Sequence, residues 1–100
     1  MSESQISMVL RIHPPAAARE QLKAALRALV EPSRREQGCI RYELYQDIDK
    51  EGDFILLECW RDQAALDEHF AKPYLKDFSA RFADVLRDAV TSGLTRLAAL

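Results

Sequence analysis

The stretch Cys39-Ile-Arg-Tyr-Glu-Leu-Tyr-Gln-Asp-Ile48 is followed by Asp49-Lys-Glu-Gly-Asp53 and then by Phe54-Ile-Leu-Leu-Glu-Cys-Trp60. Two runs of aromatic and branched residues flank a charged turn with a glycine, so the stretch reads as an antiparallel hairpin. Pairing residue 48 with residue 54 would place Ile40, Tyr42, Leu44 and Ile48 beside Phe54, Leu56, Glu58 and Trp60 on one face. The other face would carry Tyr45, Ile55, Leu57 and Cys59. Both faces are too apolar to be left to water alone.

Upstream, residues 5–13 alternate Ile6, Met8, Leu10 and Ile12 with Ser7, Val9, Arg11 and His13, the period of a strand. Pro14-Pro15 ends it and supplies a helical first turn. Over 16–31, Ala18, Leu22, Ala25, Leu26, Leu29 and Val30 form a helical stripe, which Pro32 ends or bends before Gly38. Downstream, Asp62 is an expected N-cap for a short helix over 63–71, closed by Pro73. Leu75, Phe78, Phe82, Val85, Leu86 and Ala89 give another helical stripe that Ser92-Gly93 breaks. Residues 94–100 read as a last strand or as more helix.

The order is an α+β one, β-α-β-β-α-(α)-β, the ferredoxin-like split βαβ arrangement with a four-stranded antiparallel sheet and helices on one side. One hundred residues, 48% hydrophobic and 30% charged, make a single domain over 1–100 with enough apolar material for a core. A sheet apolar on both faces in a chain this short predicts a homodimer.

A net charge of -2 with scattered Lys and Arg gives no basis for nucleic-acid binding. No apolar run approaches the roughly 18 residues of a membrane span, and the first residues lack the basic start of a signal peptide, so a cytoplasmic protein without membrane partners is expected. Cys39 and Cys59 have neither metal-ligand spacing nor a disulfide pattern.

The candidate chemistry lies where the third strand meets the short helix, in Trp60-Arg-Asp-Gln-Ala-Ala-Leu-Asp-Glu-His-Phe70. Glu58 is the misfit of an apolar strand face and must be paired, hydrogen-bonded, wet or protonated. His69 stands four after Ala65 and three after Leu66, on the border of the helix's apolar side. Trp60, Tyr42 and Tyr74 can face the same space, and Phe70 belongs to the same corner. Each alone is an ordinary core or rim residue; together a histidine, a carboxylate, an indole and phenols have the composition of a small-molecule pocket. His13 is expected to be exposed.

The run Glu36-Gln-Gly-Cys-Ile-Arg-Tyr-Glu-Leu-Tyr45, the strand Phe54–Trp60 and the helix Ala64-Ala-Leu-Asp-Glu-His69 together resemble the antibiotic-biosynthesis-monooxygenase domain family, in its quinol-monooxygenase-like branch. The resemblance spans nearly the whole chain. It implies a dimeric α+β barrel in which two sheets pack face to face, with a pocket in each subunit between sheet and helices. It also implies oxygenation of a quinol or small polyphenolic compound by dioxygen, with no metal and no other cofactor. A base removes a phenolic proton, the anion itself reduces dioxygen, and a water-poor pocket shields the intermediates.

His69 stands where the family has its helix histidine and is the expected base. Glu58 matches the strand glutamate and is expected to hold His69 or the substrate, with Trp60 as aromatic wall and Tyr42, Tyr74 and Phe70 as further lining. Two departures narrow the reading. Tyr74 stands where many relatives carry a second histidine, which disfavours a two-histidine mechanism. The chain has no asparagine, which disfavours the haem-degrading and polyketide-oxidising branches. An isomerase or epimerase of the same fold, and a non-catalytic dimeric ligand-binding or stress-response module, are the competing functions.

Overall fold

The computed structural model describes residues 5–90, 95–98 and 100. Strand β1 (Ile6–Ile12) leads through a single 3-10 turn (Ala16–Ala18) into helix α1 (Arg19–Arg34), followed by strands β2 (Cys39–Gln46) and β3 (Phe54–Trp60). Helices α2 (Gln63–Ala71), α3 (Pro73–Arg81) and α4 (Ala83–Ala89) precede a short strand β4 (Thr95–Leu97). The sheet order is β2-β3-β1-β4, and every pairing between neighbours is antiparallel. This is the expected ferredoxin-like α+β topology, with β3 inserted between the two strands that α1 connects. Of the two readings of the last segment the strand is the one found, at Thr95–Leu97, while the break expected at Ser92-Gly93 lies outside the described residues.

The core sits between one sheet face and the helices. Met8 and Ile12 of β1, Tyr42 of β2, and Phe54, Leu56 and Trp60 of β3 pack against Leu22, Leu26 and Leu29 of α1, Leu66 of α2 and Leu75 of α3. The alternation read from the sequence selects these residues, because a period of two sends every second side chain to the same face.

The hairpin register differs from the expected one. Gln46 faces Phe54, Leu44 faces Leu56 and Tyr42 faces Glu58, a two-residue shift from a 48–54 pairing. A shift of two preserves the faces, whereas a shift of one would have inverted them. Its cause is Asp47, whose Oδ1 accepts the backbone N–H groups of Asp49 and Lys50 at 2.9 and 3.1 Å and turns the chain before Ile48 can pair. Ile48 is left 91% exposed. At the other end a bulge intervenes: Cys39 pairs with Trp60 and Arg41 with Cys59, so Ile40 is the extra residue and is half exposed rather than on the helix-covered face.

Helix α1 runs through Pro32 to Arg34 instead of ending at the proline. In the last turn the missing N–H costs one hydrogen bond only, and Arg35 N–H to Glu31 O and Glu36 N–H to Ser33 O close the helix. The downstream stripe is two helices, since Phe82 departs from helical geometry at φ -110, ψ 18. Among the described residues no helix is long and apolar enough to cross a membrane.

Candidate active site

The site is assembled by the way α2 lands on the end of the sheet. Asp62 caps the helix, its Oδ1 accepting the Ala65 N–H at 2.9 Å. Gly38, just before β2, meets α2 so closely that a Cβ added there would lie 2.2 Å from the Cβ of Ala65. Arg61 N–H donates to Gly38 O at 2.8 Å and ties the same corner. Held at both points, α2 turns Ala65, Leu66 and His69 inward, and His69 is 1% exposed.

Around the imidazole the groups come from five segments. Trp60 lies against one side of the ring at 4.3 Å between centroids, and Tyr42 approaches edge-on at 5.8 Å. His69 Nδ1 is 2.8 Å from Oε2 of Glu36, in the connection between α1 and β2. The Tyr74 hydroxyl of α3 donates to the same Glu36 oxygen and lies 3.3 Å from the Ser33 hydroxyl. On the other side of the ring, Nε2 is 3.8 Å from Oε1 of Glu58, too far for a direct hydrogen bond. That oxygen accepts the indole N–H of Trp60 at 2.9 Å.

Burial sets the electrostatics. It raises the Glu58 carboxyl above its ordinary value, opposed by the Trp60 hydrogen bond and by His69. Burial likewise pushes the Tyr42 phenol far up, and Tyr74 is pushed up to about 12 by burial and then by its bond to Glu36. Both phenols are hydrogen-bond donors near neutrality, not bases. The Cys39 thiol is pushed up to about 11, mainly by burial, so it stays protonated there.

Glu58, His69, Tyr42 and Phe70 line a cavity of about 220 Å³ between the sheet and the helices. The remaining wall is apolar apart from Ser79, with Met8, Leu10 and Leu56 from the sheet and Leu26, Phe78 and Leu86 from the helices. A larger groove of about 570 Å³ runs open beside α1 and β2, rimmed by Lys23, Arg27 and Arg34, and includes none of the residues around His69. Among the described residues no three His, Cys, Asp or Glu side chains are grouped to hold a metal ion.

The sequence-derived residues thus divide. Trp60 does not line the cavity; it backs the imidazole and anchors Glu58. Tyr74 also lies outside the cavity lining and touches the site through Glu36. Glu58 does not hold His69 by a hydrogen bond; Glu36 does. Glu36 was legible only as the first residue of the Glu36–Tyr45 motif, and its partner lies 33 positions away. His13 is exposed and pairs with Asp53, remote in sequence and contacts from this cluster.

The profile of the antibiotic biosynthesis monooxygenase family matches residues 5–92. The chain belongs to that family. The match runs from the strand that forms the cavity floor to beyond α4 and includes every residue around His69. Among the family member's relatives, a Mycobacterium tuberculosis protein named "Putative monooxygenase Rv0793" is 36% identical over 83 residues, covering 83% of this chain and 81% of that one. A Synechocystis protein described as uncharacterized is 41% identical over 68 residues, 68% of this chain; the match spans 46% of that protein's length. The solved structure of the Mycobacterium tuberculosis protein superposes with a TM-score of 0.83 at 34% identity, covering 97% of this chain and 96% of that one. A Pseudomonas aeruginosa structure, PA3566, gives a TM-score of 0.82 at 31% identity, covering 100% and 98%.

Proposed function

We propose that this member of the antibiotic biosynthesis monooxygenase family is a cofactor-independent monooxygenase that oxidises a quinol or small polyphenolic compound, working as a homodimer. The observation that carries the reading is the gap of 3.8 Å between His69 Nε2 and Glu58 Oε1 at the polar end of an otherwise apolar cavity. A substrate hydroxyl oxygen fits between them at about 2.8 Å from each atom. There His69 accepts the phenolic proton, while Glu58, steadied by Trp60 and favoured in its protonated form by burial, donates to the hydroxyl oxygen. The resulting anion delivers electrons to dioxygen; one oxygen atom enters the ring, the other leaves as water, and the ring, having supplied all four electrons, ends as a hydroxylated quinone. Apolar walls exclude solvent from these steps.

The size of the cavity supports a small substrate. A dry cavity of about 150 Å³ accommodates benzene, so about 220 Å³ suits one substituted ring or a compact bicycle. The dimer is supported by the sheet face away from the helices, where Val9, Tyr45, Ile55, Leu57 and Leu97 carry apolar surface that no element among the described residues covers.

The test is oxygen consumption by the metal-stripped protein across a panel of reduced quinols, with His69→Ala alongside. Uptake above autoxidation that falls by about two orders of magnitude in the variant is expected, the scale of a lost general base. Exchange of a substrate carbon-bound proton with solvent, without oxygen uptake, would replace this reading by the isomerase one. Ligand binding with no turnover, insensitive to His69, would replace it by a binding module.

A further inference from the structure

Among the described residues around His69, Glu36 is a carboxylate with a buried side chain for which the proposed reaction has no direct use. Its side chain is 8% exposed beside an imidazole that is 1% exposed. The backbone fixes it on both sides: its own N–H donates to Ser33 O at 3.1 Å, and its C=O accepts the Cys39 N–H at 3.0 Å. The contact between Gly38 and Ala65 then clamps this connection to α2, the helix that bears His69.

We infer that Glu36 is a positioning residue: its carboxylate fixes the His69 proton on Nδ1, which leaves Nε2 as the lone-pair nitrogen facing the cavity. The argument is one of donors and acceptors. Oε2 of Glu36 accepts from the Tyr74 hydroxyl, and that phenol has a single proton to give. Deprotonation of Tyr74 is disfavoured, its phenol standing at about 12, so the donor persists through the neutral range. With His69 Nδ1 at 2.8 Å, the opposite tautomer would set a nitrogen lone pair against a carboxylate oxygen inside a poorly screened core. Only an Nδ1–H satisfies both atoms. In an imidazole the hydrogen bond made by one nitrogen selects the state of the other.

The ionisable groups around the ring act consistently. Glu58 on β3 stands near Nε2, where its raised carboxyl donates to the substrate oxygen and leaves the bare nitrogen as acceptor of the substrate proton. Tyr42 on β2 and Tyr74 on α3 are protonated phenols. Trp60 prevents the ring from tilting away, with its own N–H committed to Glu58. Glu36 therefore acts on the reaction through His69, touching neither substrate nor cavity.

This inference rests on the reading of His69 as the base, but its test does not. Long-range proton–nitrogen NMR of the full chain labelled with 15N reports which imidazole nitrogen of His69 carries the proton, independently of any substrate. The expected spectrum at neutral to mildly alkaline pH is a protonated Nδ1 and a bare Nε2, with the tautomer shifting toward Nε2–H in Glu36→Ala. Glu36→Gln, which keeps an acceptor oxygen, should restore the Nδ1–H form. If oxygen uptake is present, kcat should fall at least about tenfold in Glu36→Ala with KM nearly unchanged, and recover in part in Glu36→Gln. In acyl-transfer triads a wrong tautomer costs up to about 10⁴.

An Nε2–H tautomer in the unmodified protein, or one unaltered in a folded Glu36→Ala, overturns the role of Glu36 while leaving the oxygenase reading standing. The expected tautomer in a protein that consumes no oxygen supports Glu36 and removes the oxygenase reading instead. Should Glu36→Ala fail to fold, the spectrum of the unmodified protein and that of Glu36→Gln decide the matter.

Discussion

Glu58 lies in an apolar strand, with one oxygen on the Trp60 indole and its carboxyl raised by burial. The linkage follows from that direction. The folded state holds the Glu58 proton more tightly than the unfolded chain, so stability falls as pH rises from the ordinary carboxylate value of 4.5 through the raised one. Below that window the group is protonated in both states and contributes no pH dependence. Glu58→Gln removes the fall and can still accept the indole hydrogen bond. The variant should therefore be more stable than the parent at neutral pH, with the difference closing below pH 4.5. Thermal melts across the pH range measure this, and its turnover should drop at the same time. A parent that gains stability as pH rises from 4.5 through the raised value would contradict the assignment. That Glu58 is exceptional was visible from its place in FILLECW; that Trp60 is its anchor was not, because two residues apart on a strand share a face without being obliged to bond.

At the scale of elements, the corner between β2 and α2 decides where His69 points. Gly38→Ala puts a methyl group against the Ala65 Cβ and must push α2 outward, an overpacking cost of about 1–3 kcal/mol. Because the imidazole moves with the helix, this substitution should lower kcat along with stability, read by denaturant titration and oxygen uptake. Asp62→Ala removes the bond to Ala65 N–H and should cost about 1 kcal/mol by the same titration, with a smaller effect on turnover because the Gly38 contact remains. The helix 63–71 and its cap were legible because an Asp precedes a helical run that a proline soon stops. The bulge at Ile40 and the early turn at Asp47 were not. Both depend on which backbone groups find partners across the hairpin, and alternation alone leaves shifts of two residues undecided.

For the whole molecule, the uncovered sheet face carries the dimer proposal. Leu57→Asp places a charge at its centre, pointing away from the cavity, and should convert a dimer into a monomer at micromolar concentration in light scattering. A parent chain that is itself monomeric under those conditions removes the barrel. The sequence by itself determined the order of elements as far as the third and fourth helices, the faces of β1 and β3 and of β2 beyond its bulge, and the gathering of His69, Glu58 and Tyr42 on the helix-covered side. Those follow from periods of two and 3.6 residues, which are local. Only the tertiary structure decided that Glu36 binds His69, that Tyr74 reaches the site through that carboxylate, and that Trp60 supports the cavity from behind. These contacts join residues that no local period relates; they exist because the clamp between Gly38 and Ala65 brings the α1–β2 connection against α2, where the buried polar groups must find one another.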